Sequence, residues 1–120
     1  MTVKEFYEKI GGNYDEVCSR LMKEERVLKY LNKFLATDNY QNLLARLAEK
    51  DYPEAFREVH SLKGVALNLA LTPLAEASSV LCEELRSGEE PKVDISGMLS
   101  DVDRCYKETV DAINELISES

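Results

Sequence analysis

Apolar residues along this chain recur at helical spacing in nearly every segment. From Glu24 to Ala36, Val27, Leu28, Leu31, Phe34 and Leu35 fall on one helical face. Thr37-Asp38-Asn39 breaks that run, and Tyr40, Leu43, Leu44 and Leu47 carry the next to about Lys50. Leu74, Ala77, Leu81 and Leu85 form the stripe of a helix that Gly88 ends. A last stripe, Leu99, Val102, Tyr106, Ile113, Leu116 and Ile117, predicts a long helix from about Asp94 to Ser118. Ahead of these, Thr2 and Glu5 have capping-box spacing and Gly11-Gly12 stops a short helix. Asn13, three before Glu16, opens a second short piece through about Met22. No segment alternates at period two, so no sheet is expected. The pattern predicts an all-α fold: an antiparallel four-helix bundle, about 24–118, preceded by one or two short N-terminal helices within about 2–22.

The central helix needs closer reading. Asp51 with Glu54 three later and Pro53 in the first turn predicts its start. Thr72-Pro73, read as an N-cap and a first-position proline, separates it from the next helix, so it should run to about Leu71. At about 100° per residue, Ala55, Val59, Ala66 and Leu69 fall within roughly 60° of Leu62, which defines the buried stripe. His60 lands roughly 160° away, with Gly64 on the same outer edge, Lys63 and Arg57 flanking it, and Leu67 and Leu71 beside it. An idle surface histidine would leave that glycine and those leucines unexplained. Together they describe a binding surface.

Composition narrows the possibilities. The chain has 120 residues, expected to form one domain, and its net charge of −8 speaks against a nucleic-acid surface or docking on anionic membranes. No apolar run approaches the roughly 18–20 residues that span a bilayer. The opening MTVKEFYEKI carries charges every few residues, unlike a secretory signal, and cytoplasmic localisation is expected. Cys18, Cys82 and Cys105 are odd in number and widely spaced, which favours plain thiols over a disulfide framework or zinc site. The acidic pairs Glu24-Glu25, Glu83-Glu84 and Glu89-Glu90 are adjacent in sequence and share no helix face, so they read as solvated charge. Neither a G-x-S-x-G elbow nor a glycine-rich nucleotide loop is present.

The chemistry then rests on the chain's single histidine. A neutral imidazole has one nitrogen with a free lone pair, which can attack a phosphoryl group. A side chain four residues on would crowd the incoming group, and glycine at 64 removes it at a helix cost of about 1 kcal/mol. Lys63 can place a cation near phosphoryl oxygens. Nothing supplies ATP, so a donor must bring activated phosphate.

His60-Ser61-Leu62-Lys63-Gly64, followed by Ala66, Asn68 and Leu69, resembles the H-x-L-K-G-x-S/A-x-N-L-G signature of histidine-containing phosphotransfer (HPt) domains. A fixed H-x-L-K-G pattern arises by chance in about one chain per thousand of this length. Leu31, Phe34, Asp51 and Leu74 also sit where the family has similar residues, and the resemblance runs from about Val27 to Leu85. It implies a single HPt-like domain over 1–120, a phosphoryl carrier in a two-component phosphorelay, with no ATP site of its own. It implies His60 as phosphoacceptor through Nε2, Lys63 as phosphate-neighbouring cation and Gly64 as steric clearance. Arg57, Leu67 and Leu71 are the candidate partner-binding residues. Expected partners are response-regulator receiver domains, with a hybrid histidine kinase as a further candidate, and the protein is expected to act as a monomer. No cofactor or metal is expected, since the receiver supplies Mg²⁺. The chain departs from the signature at Ala70, in place of the last glycine, and has Val65 where a small residue is frequent. The alternative is a non-phosphorylating HPt-like module that docks and regulates a receiver or kinase. Retention of His60, Lys63 and Gly64 together disfavours it.

Overall fold

Cap chemistry sets where the helices begin. Thr2 Oγ1 accepts from the Glu5 amide at 3.1 Å and Glu5 Oε1 accepts from the Thr2 amide at 2.9 Å, a reciprocal capping box. Asn13 Oδ1 accepts from the Glu16 amide at 3.0 Å, and Asp51 Oδ1 from that of Glu54 at 3.3 Å. The computed structural model describes residues Met1–Glu119. Within them lie seven helices and no strand: α1 Val3–Ile10, α2 Tyr14–Leu21, α3 Glu24–Leu35, α4 Asn39–Ala48, α5 Tyr52–Asn68, α6 Thr72–Leu85 and α7 Ser96–Ser118. The expected all-α bundle is therefore the observed fold.

Each helix from α5 to α7 packs on its predecessor, and α3 packs on α7. The connections at 49–51 and 69–71 are too short for anything but an antiparallel return. The core runs through Val27, Leu31 and Phe34 of α3, Leu43 of α4, Leu62 of α5, Leu81 of α6 and Ile113 of α7, all essentially inaccessible. Tyr40 stacks on Tyr106 with ring centroids 4.4 Å apart, and its hydroxyl donates to Asp103, so the start of α4 meets α7. Phe34 reaches the same Tyr106 ring at 5.9 Å, joining α3 to that seam. The α1 helix lies on the other end of α7, where the Lys9 ammonium pairs with Glu115 at 2.5 Å.

The C-terminal end of α5 differs from the sequence expectation. The helix stops at Asn68 and closes with a Schellman motif: the Leu71 amide donates to the Ala66 carbonyl at 2.8 Å, and the Ala70 amide to that of Leu67 at 3.1 Å. Ala70 takes the left-handed conformation this motif needs, with φ 53°. The helical wheel stops applying at that point, which corrects Leu71. It was expected beside His60 on the partner-binding face, yet it is fully buried just ahead of α6. Thr72 is likewise the first residue of α6 rather than its cap.

The short N-terminal helices are fastened to this corner. The Tyr7 hydroxyl donates to the Leu69 carbonyl at 2.7 Å, the Asn13 amide to the Ala70 carbonyl at 3.0 Å, and the Arg20 guanidinium to the carbonyls of Leu67 and Asn68. A Cβ on Gly12 would sit 2.7 Å from both the Ala70 oxygen and the Tyr7 ring, so glycine permits the close approach. Burial pushes the Tyr7 phenol well above its ordinary value, so it stays a donor.

Left-handed backbone costs a non-glycine residue roughly 1–2 kcal/mol, partly offset by the extra chain entropy a glycine would lose. Ala70→Gly should therefore stabilise the fold by about 0.5–1 kcal/mol in urea unfolding. A lower midpoint would show that the buried Ala70 methyl packs better than its backbone is strained.

Candidate functional site

The α5 helix presents two unlike faces. Ala55, Val59, Leu62 and Ala66 are buried, and His60 is exposed on the opposite side. Side chains on an α-helix lean toward its N-terminus, so residue 60 lies over residue 56 and residue 64 would lie over residue 60. The positions are filled accordingly. The Phe56 ring packs under the imidazole, with centroids 5.6 Å apart and planes at 42°. A Cβ on Gly64 would meet nothing within 4 Å. Among the described residues the imidazole takes part in no hydrogen bond, so both ring nitrogens remain available.

Lys63, half-buried one turn along, makes no ion pair among the described residues. Its charge is felt on α6, where the Glu83 carboxyl is held below its ordinary value, chiefly by a hydrogen bond from Arg86 with Lys63 adding to it. Arg57 is exposed, with Nη1 3.5 Å from Glu54 Oε1. Leu67 is 49% exposed on the same side of α5 and available to a partner. A groove of about 440 Å³ flanks the face, lined by Tyr30, Lys33 and Phe34 of α3 with Val65, Asn68 and Leu69. A smaller cleft of about 280 Å³ lies on the other side, where Lys63 and Leu67 face Thr72, Ala75 and Ser79.

The structure thus places His60, Lys63, Gly64, Arg57 and Leu67 along one accessible side of α5, without Leu71. Phe56 is the neighbour that the sequence reading missed. Its position four residues before His60 was the available signal. Burial raises the Cys82 and Cys105 thiols above their ordinary values, which favours the protonated form. Among the described residues no group of three or more His, Cys, Asp or Glu side chains could hold a metal ion. No helix among them is long and apolar enough to cross a membrane.

An exposed imidazole with no hydrogen-bond partner among the described residues, beside cleared space and a lysine, can accept a small anionic group. The comparisons agree with that class. The Hpt domain family matches residues 30–118, and the chain belongs to that family. Its members carry phosphoryl groups in phosphorelays, act with receiver domains and kinases, and have neither an ATP site nor a cofactor of their own. No curated protein and no solved structure matches the chain.

Because nothing surrounds Gly64, a methyl group there carries no steric penalty and gains helix propensity. Gly64→Ala should raise unfolding stability by about 0.5–1 kcal/mol. A loss of stability would mean that this position is closed by packing.

Proposed function

We propose that this chain accepts a phosphoryl group on His60 from the phospho-aspartate of a receiver domain, or from a kinase, and passes it to another receiver. The observation that carries the reading is the pairing of an exposed imidazole, free of hydrogen bonds among the described residues, with a glycine whose missing side chain would meet nothing within 4 Å. Nε2, the outer ring nitrogen, attacks phosphorus in line as the bond to the aspartate oxygen breaks, and the electron pair leaves with the carboxylate. Nδ1 keeps its proton, and the positive charge that develops on the ring is offset by the phosphoryl oxygens. Lys63 supplies a second positive charge from the same face. Gly64 leaves room for the phosphoryl group and for the rim of the donor. The receiver brings the Mg²⁺.

Leu67 and Arg57 belong to the docking surface in this reading. An exposed leucine gives apolar area to bury, and a cation on an acidic chain gives direction to the encounter. The apolar groove beside α5 extends that surface.

A screen of the host's receivers, each charged with acetyl phosphate, should find at least one that labels the protein rapidly. The adduct should be acid-labile and base-stable, and His60→Gln should abolish it, since the chain has one histidine. Label that persists in His60→Gln contradicts the assignment. Gly64→Gln should keep full helix content while slowing transfer by at least about tenfold.

A further inference from the structure

We propose that Phe56 is the positioning residue that sets the orientation of the His60 ring for transfer; the claim rests on His60 being the phosphoacceptor. Among the described residues, no side chain or backbone group hydrogen-bonds the imidazole. Its tilt is therefore not fixed by a polar partner, the usual means of orienting a reactive histidine. What touches the ring is the Phe56 ring, 5.6 Å away between centroids and inclined at 42°. The spacing of four residues makes the contact intrinsic to the helix, because the side chain at 60 leans back over 56. Phe56 itself is steadied from behind: it is half-buried and packs against the core. The imidazole thus has an inclined aromatic ring beside it toward the helix start and open space toward Gly64.

That asymmetry matters for the reaction. The forming bond runs from Nε2 to phosphorus, and the breaking bond runs from phosphorus to the aspartate oxygen, whose carboxylate takes the electron pair. The lone pair must point along that line. A donor held by a docked receiver cannot move to meet a misdirected ring, so ring orientation enters the rate. A small donor arriving from solution can choose its approach. Phe56 should therefore matter for the first donor and not for the second.

The test compares the wild-type protein with Phe56→Leu and Phe56→Tyr. Leucine keeps apolar bulk at the core edge without the flat ring, and tyrosine keeps the ring. Two donors are used: phosphoramidate, and the acetyl-phosphate-charged receiver domain that labels the wild-type protein fastest. Phe56→Leu should lower the maximal rate from the receiver about tenfold, leave its half-saturating concentration unchanged, and alter phosphoramidate labelling by less than about twofold. Phe56→Tyr should restore the receiver-driven rate. The His60 ring-proton resonances should shift in Phe56→Leu and hold in Phe56→Tyr. Equal receiver-driven rates, equal slowing with both donors, or a change confined to the half-saturating concentration would each overturn the proposal. Wild-type protein that takes label from neither donor overturns the acceptor reading itself, a failure distinct from that of Phe56 because the ring-proton shifts need no phosphate.

Discussion

The carbonyl end of α5 is the joint on which the structure depends. An α-helix leaves its last carbonyls without intrahelical partners, and buried ones need others. Here four successive carbonyls, Leu67 to Ala70, accept from Arg20, Tyr7 and the Asn13 amide, on top of the Schellman bonds that close the helix. All three donors come from α1, α2 and the turn between them, which lie before the stretch shared with the Hpt domain family. The N-terminal helices thus give partners to carbonyls at the end of α5, the buried one of Leu69 among them. They also hold the helix that carries His60 against the remainder of the core.

With its end fixed, α5 has two obligations that compete along its length. One face must be small and apolar enough to pack, which Ala55, Val59, Leu62 and Ala66 provide. The opposite face carries a glycine at 64, where an added Cβ would meet nothing within 4 Å and where glycine costs about 1 kcal/mol of helix propensity. A second local cost sits at Ala70, where the backbone is left-handed without the glycine that would relax it. In the proposed function only the first of these serves the site. The second belongs to the corner, about two turns beyond Gly64, and leaves the imidazole untouched.

Much of this was legible in the sequence because helices are local. The stripes marked the buried faces, save that Leu44 of the α4 stripe is exposed, and the Thr2–Glu5, Asn13–Glu16 and Asp51–Glu54 spacings became the caps that begin α1, α2 and α5. Rotation of 100° per residue was enough to take His60 out of the core. The same rule misplaced Leu71, because it assumes unbroken helix and α5 ends three residues earlier. Glycine usually announces such an end, and alanine at 70 concealed it. The joint itself could not be read, since Tyr7 and Leu69 are 62 positions apart and nothing local couples them. Phe56 lay within the reach of helical spacing, but its contact with His60 shows only once the rings have positions.

The central claim is that α5 offers the outer nitrogen of one unshared imidazole to a phosphoryl group. The measurement closest to it is ³¹P and ¹⁵N NMR of the protein charged by a phosphorylated receiver. The account predicts a single phosphorus signal coupled to Nε2 of His60, with the proton retained on Nδ1. Phosphorus bound to Nδ1, or to any group other than this histidine, would contradict it.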